Sequence, residues 1–187
     1  MSDTLKSFVA DLEREGGIDH ADFGLRPCSE LGLKAREELG RFPESLSSLL
    51  ISDFDGQDYG AFKTPLFGEF RLLPIADSLK HWQENHEEFG HQDSPSSDKR
   101  IQPGQGWRDL WYPFAWDGTM NRLLILDFDP SEKGTVGQVF LYDCHDTPGD
   151  WLAPSFPAFL SAYYQRLSDA QFERNGQSTF DCSVSAE

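Results

Sequence analysis

Basic side chains are scarce. Lys and Arg number 16 against 32 Asp and Glu in 187 residues, which gives a formal charge of −16 at pH 7 and a pI near 4.5. A field of that sign repels phosphate backbones and anionic bilayers, so nucleic acid and membrane surfaces are excluded as partners, and a cationic protein is the natural complement. Cysteine is nearly as rare. Cys28, Cys144 and Cys182 are odd in number and lack metal-type spacing, which reads as free thiols in a reducing compartment rather than a disulfide framework. No apolar run approaches the ~18 residues of a membrane span. The opening Met-Ser-Asp-Thr-Leu-Lys lacks the basic and then apolar layout of a secretory leader, so the expected location is the cytoplasm.

Several chemistries lack their signatures. Asp53, Asp55 and Asp58 begin like a calcium loop, but Thr64 stands where its closing acid belongs. Gly134 to Gly137 is not followed by the Gly-Lys-Ser/Thr ending of a phosphate loop. His81, His86 and His91 recur every fifth residue, so on a helix each turns roughly 140° from the last and they share no face. His145 lies between Asp143 and Asp146 like a base oriented by a carboxylate, yet no Ser or Cys occupies a nucleophile elbow, and Cys144 reads as a buried strand residue. Asp127 and Asp129 fall on one face of a strand; the pair fits either a Mg²⁺ or Ca²⁺ ligand set or the closing of a strand at a turn. Trp107, Trp111 and Trp116 fit core packing or, alternatively, a ligand cage. No persuasive catalytic, metal or cofactor site emerges.

What the chain does have is aromatic bulk, 15 Phe and 5 Trp, enough for the core of one domain and too much for a disordered acidic tail. Leu5, Phe8, Val9 and Leu12 predict an opening amphipathic helix that stops at Gly16-Gly17, followed by a polar connector from His20 to Pro27. A helix capped by Ser29 and ending at Gly40, and a short one after Pro43 carrying Leu46, Leu49 and Leu50, come next. Short β-like runs surround Phe62 and Phe70 to Leu73; Ser78 is placed to cap a helix through Leu79 and Trp82. The polar stretch from His91 to Gln105 reads as a mobile surface loop. Strands at Trp111 to Trp116, Arg122 to Phe128 and Gly137 to Tyr142 follow, the first two joined by the Asp117-Gly118 hairpin signal, and a helix from Pro154 to Leu167 closes the domain. Helices first and a meander afterwards make an α+β domain.

The acids cluster. Asp127, Asp129, Glu132, Asp143, Asp146 and Asp150 stand against Lys133 alone, and a second group comprises Glu84, Glu87, Glu88 and Asp93. Two readings stand: a solvated face that keeps the protein soluble, or a docking surface for a basic protein.

The order of landmarks resembles the SUKH superfamily, in the branch named after the yeast Smi/Knr cell-wall synthesis regulator. These landmarks are Glu30-Leu-Gly-Leu-Lys-Ala-Arg-Glu-Glu-Leu-Gly40 with Phe42-Pro43 and Asp55-Gly56, Phe70-Arg-Leu-Leu-Pro-Ile-Ala-Asp-Ser-Leu79 with Trp82, Tyr112-Pro-Phe-Ala-Trp-Asp-Gly118, Leu126-Asp-Phe-Asp-Pro130, Gly137-Gln-Val139 and Ala153-Pro-Ser-Phe-Pro-Ala-Phe-Leu160. Phe42 departs from the usual Leu before that Pro. The resemblance implies a mainly antiparallel, strongly bent sheet with helices packed on one side. It covers a domain over residues 29–168, flanked by an N-terminal helix and connector (1–28) and a polar tail (169–187). The N-terminal helix lies outside the family pattern and is free for docking or dimerisation. The resemblance also implies a protein without catalysis or cofactor: a bacterial immunity protein binding a neighbour-encoded toxin, as monomer or homodimer, or a scaffold in cell-wall signalling. On this reading Pro43, Trp111, Pro113, Asp117, Gly118, Pro130, Gly137 and Gln138 are structural landmarks. Asp117, Asp127, Asp129 and Gln138 satisfy backbone donors where the sheet bends, and the acids named above meet the partner.

Overall fold

A computed structural model describes residues 4–16, 20–27, 34, 37–43, 46, 54–58, 63–96, 98–118, 122–144 and 149–169. Among these the chain forms α1 (Thr4–Gly16), α2 (His20–Phe23), β1 (Leu25–Pro27), β2 (Phe54–Gln57), β3 (Arg71–Leu72), α3 (Ile75–Phe89), β4 (Trp111–Trp116), β5 (Arg122–Asp127), β6 (Gln138–Asp143), β7 (Asp150–Ala153) and α4 (Phe156–Asp169). Strands β1 and β2 pair in a small antiparallel sheet; β3 to β7 make a five-stranded antiparallel meander in sequence order. The architecture is α+β, as expected.

The meander follows its sequence signals closely. Trp111 pairs with Asp127 and Trp116 with Leu123 around the Asp117-Gly118 turn, and Gly118 has φ +87°, a value that costs a residue with a Cβ. The register slips between Pro113 and Ala115, leaving Phe114 as the extra residue of a bulge. Proline fits there because it has no N–H to give the ladder.

Alternation along the strands builds two cores. Tyr112, Phe114, Leu124, Leu126, Val139 and Leu152 face one way, toward Phe156, Phe159 and Leu160 of α4 and Leu5, Phe8, Val9 and Leu12 of α1. Phe8 of α1 meets Phe67 and Tyr163, each at 6.1 Å between ring centroids. The apolar face of α1 is therefore spent inside the domain and is not free for docking or dimerisation. Trp111, Leu123, Ile125, Phe140 and Tyr142 face the opposite way, toward Ile101 and Trp107, with Trp82 and Phe89 of α3 against them. Helices α1 and α4 cover the first face together with Ile75 and Leu79 of α3, and the second is covered by the loop after α3 with Trp82 and Phe89 at its margin.

Other expectations shift for identifiable reasons. The connector after α1 contains α2 and β1, because β1 finds a remote partner, β2. Helix α3 starts at Ile75 instead of Ser78, and Ser78 is fully buried within it. Its cap comes from a distance: the Ile75 N–H donates to Asp55 Oδ1 at 3.1 Å. Gly56 beside it has φ +76° and lies so close to α3 that a Cβ would collide with the Pro74 nitrogen. Gln57, fully buried, donates from Nε2 to the Phe23 and Thr64 carbonyls and accepts at Oε1 from Leu66 and Leu72 N–H. That one side chain joins the small sheet to the large one. Strand β7, too short to announce itself, pairs with β6. The two helices expected between Ser29 and Leu50, and the run around Phe62, lie largely outside the described residues, although Leu39, Phe42 and Leu46 are buried in the first core.

Candidate partner-binding surface

The stretch from His91 to Gln105, expected to be mobile, lies in loop 90–110 between α3 and β4, whose described residues are fastened at several points. Gly104 N–H donates to the Ser94 carbonyl and Gly106 N–H to that of Gln92; Ser131 binds back to the loop through its N–H to the Arg100 carbonyl and its hydroxyl to the Lys99 carbonyl. Ile101 and Trp107 are fully buried beneath it. The expectation of mobility fails because these two apolar side chains cover the second face of the sheet.

The centre of this fastening is Asp127, which is 0% exposed. Its Oδ1 accepts from the Trp111 indole N–H (3.1 Å) and the Asp129 N–H (2.9 Å), and its Oδ2 accepts from Gln138 Nε2 (2.8 Å). Gln138, also fully buried, donates to the Arg100 carbonyl at 2.9 Å and accepts from the Thr135 N–H at 3.2 Å. Burial pushes the Asp127 carboxyl up to about 6, against the lowering effect of these donors. Asp127 is therefore withdrawn from the partner face: a carboxylate sealed under the loop presents no charge to a second protein. Its other expected role, satisfying donors where the sheet bends, is what it performs.

The remaining acids of the second half separate. Asp129, half-buried, is held by Arg108 at 2.9 Å (Nε) and 2.5 Å (Nη2). Asp127 and Asp129 therefore point to different partners. Glu132 is exposed on the β5–β6 turn, Asp150 is exposed on β7, and Asp143 is half-exposed at the far end of β6. Asp146 and His145 lie outside the described residues, as do Cys28 and Cys182. Asp98 is held below the usual carboxylate range by its hydrogen bond to Arg100, whose guanidinium also lies 3.8 Å from the Trp151 ring centre.

On α3 the acids stay together. Glu84, Glu87 and Glu88 are exposed, with Asp93 exposed just beyond the helix. Spacings of three and four put Glu84, Glu87 and Glu88 on one helical face. Their ties are weak: Lys80 Nζ lies 3.7 Å from Glu84, and Gln83 donates to Glu87 at 2.9 Å. Cys144, just past the end of β6, donates from Sγ to Asn85 Oδ1 of α3 at 3.8 Å, which sets the helix against that strand end one turn from Glu88, and the negative charges of Asp143 and Glu88 both bear on the thiol. Burial first, then those charges, push the Cys144 thiol up to about 11, so it stays protonated at neutral pH and is no nucleophile. The fold thus brings the end of β6 to α3; Glu84, Glu87 and Glu88 share one face of that helix, while Asp143, next to inward-facing Tyr142, alternates to the other side of the sheet.

The aromatic candidates resolve as packing. Trp107 and Trp111 are fully buried, 5.9 Å apart between ring centroids, and Trp116 stands by His81 at 5.6 Å. Burial lowers the pKa of His81. His86 instead stacks on Trp82 at 4.9 Å and lies 2.7 Å from Asp109, with Arg41 4.4 Å from the same indole. Among the described residues, the three histidines of α3 and its exit form no metal cluster.

Of the landmark residues, Gly118 and Gly137 take positive φ at turns and Asp117 accepts from Arg122 Nε at 3.0 Å. Trp111 and Gln138 lie in the Asp127 network, Pro113 flanks the β4 bulge, and Pro43 and Pro130 are half-buried. Arg100, Arg108 and Gln57 were missed by sequence reasoning; no local pattern marks them, since each finds its role only when distant segments meet.

Among the described residues no helix is long and apolar enough to cross a membrane. Compared with the curated proteins, the sequence has no match. Compared with known families, it matches the SMI1 / KNR4 family (SUKH-1) over residues 29–162, more than two thirds of the chain and the stretch that carries β2, α3 and the meander. By that match, the chain belongs to the SMI1 / KNR4 family (SUKH-1).

Proposed function

We propose that this chain is a cytoplasmic, non-catalytic immunity protein that binds a neighbour-encoded toxin and occludes its basic active site. The observation that carries the proposal is the acid face of α3, where Glu84, Glu87 and Glu88 stand exposed together on a chain of charge −16. Three carboxylates on one face of a helix concentrate negative charge there, which speeds encounter with a cationic cleft. The non-catalytic reading is supported by what the remaining acids do: Asp127 is sealed and triply hydrogen-bonded, and Asp129 is held by Arg108.

The test is growth. The protein encoded immediately upstream, expressed alone, is expected to arrest growth, and co-expression of this chain is expected to restore it. Equal arrest in both cultures overturns the proposal. A pull-down that returns several unrelated envelope-synthesis proteins instead of that neighbour supports the second function of such a fold, a regulatory scaffold.

A further inference from the structure

The turn between β5 and β6 carries the only large apolar side chain that is well exposed among the described residues, Val136, at 62%. One exposed apolar side chain is ordinary on a protein surface. Val136 differs in how firmly its turn is held and in what that turn borders.

The turn is braced on every side. Gly137 N–H donates to the Asp127 carbonyl (2.7 Å), Gln138 N–H to the Thr135 carbonyl (2.9 Å), Gly134 N–H to the Ser131 carbonyl (2.9 Å) and Lys133 N–H to Ser131 Oγ (3.1 Å). Gly134 sits so close to loop 90–110 that a Cβ would collide with the Arg100 carbonyl oxygen. Gly137, at φ +84°, completes a turn in which Val136 takes the outer corner, a position that asks nothing of its side chain. The backbone that carries the side chain is thus already held while the side chain contributes nothing to the core, so docking it orders little more of the chain.

The first residues of the same turn, Ser131, Glu132 and Lys133, border a cleft of about 450 Å³ whose other wall is the loop at Lys99, Ile101 and Pro103. Lys99 and Lys133 have no ion-pair partner among the described residues, while Glu132 is the one acid of the cleft not already held, Asp98 being taken by Arg100. On a chain of charge −16 this is a patch with a small positive excess. Its complement is a segment with an acidic side chain next to an apolar socket, a chemistry opposite to that expected at the α3 acids.

We propose that this turn and cleft form a second contact for the partner, with Val136 seated in an apolar socket and the cleft receiving a partner segment that brings a carboxylate to Lys99 and Lys133. The proposal rests on the immunity reading and assigns the two surfaces different tasks. The α3 acids accelerate encounter, and the turn slows dissociation, because a desolvated apolar anchor acts after contact.

The experiment uses the full chain, the upstream-encoded protein and real-time binding at low and high salt. Val136→Glu and Val136→Ser are compared with wild type, and unchanged thermal midpoints establish that each variant folds. Val136→Glu is expected to raise the dissociation rate roughly tenfold with little change in association, Val136→Ser to raise it by a smaller factor, and both effects are expected to persist at high salt. The pair Lys99→Glu and Lys133→Glu is expected to weaken binding too, whereas added negative charge strengthens binding at a surface that merely meets a basic protein. If wild type binds and both Val136 variants dissociate at the wild-type rate, this inference fails and the immunity reading stands. If wild type does not bind the upstream protein, the immunity reading fails and this inference with it.

Discussion

Leu124 and Leu126 point from β5 toward α1 and α4, whereas Leu123, Ile125 and Asp127, their neighbours on the same strand, point toward a cover made largely of loop. A helix satisfies its own backbone and needs only an apolar stripe to cover a sheet. A loop brings unpaired N–H and C=O groups with it, and these need partners when they are buried. On the loop-covered face the partners are side chains: Gln138 takes the Arg100 carbonyl and Ser131 that of Lys99, and Asp127 beneath them holds Gln138, the Trp111 indole and the Asp129 N–H. The first face holds by area, and the second by area plus a few polar side chains that have no substitute.

That contrast sets the expected sizes of damage. Asp127→Ala strands the Trp111 indole, the Asp129 N–H and one Gln138 donor. At about 1–3 kcal/mol for each buried group left unpaired, a loss of about 4 kcal/mol is expected in denaturant titration. Amide exchange is expected to show loss of protection around Arg100 and Trp107. Phe159→Ala, on the helix-covered face, removes a ring packed on Phe67 and Phe114. It is expected to cost about 3 kcal/mol while leaving the exchange of loop 90–110 as in wild type. If Asp127→Ala costs less than about 1 kcal/mol, or if both variants expose the loop equally, the two faces do not differ in the way described.

A smaller effect is expected with pH. The Asp127 carboxyl titrates near 6 in the fold, above its ordinary 3.8. Between these values the folded chain keeps a proton that the unfolded chain has released, so this group's contribution to stability is largest at low pH and is lost as pH rises through about 6. A rise of that size corresponds to about 2–3 kcal/mol. The wild-type minus Asp127→Asn difference in unfolding free energy is expected to fall by that order between pH 4 and 7, since the variant has no proton to lose. A flat difference contradicts the buried-carboxylate account.

The legible parts of the molecule are those that local pattern controls. The period-two runs of β4 to β6, the Asp117-Gly118 turn, the stripe of α1 and the closing helix all follow from neighbours in sequence. Where the reading departs from the structure, a distant residue decides. Asp55 caps α3 from across the fold, so Ser78 is a buried helix residue; Gln57 ties two sheets that no periodicity connects; Ile101 and Trp107 hold down a loop whose composition is that of a mobile one. The candidate surface was legible in half. Acid counts located Glu84, Glu87 and Glu88, but nothing in the spacing told that Asp127 turns inward, that Asp129 meets Arg108, or that the end of β6 meets α3 at Cys144 and Asn85.

The acid face on α3 is the centre of the functional account, and its most direct measurement is the association rate with the upstream-encoded protein for wild type and for Glu87→Lys with Glu88→Lys. Wild-type association is expected to slow steeply as salt rises. The double variant is expected to associate roughly tenfold more slowly at low salt and to converge with wild type at high salt. Equal association rates for the two proteins at low salt would contradict it.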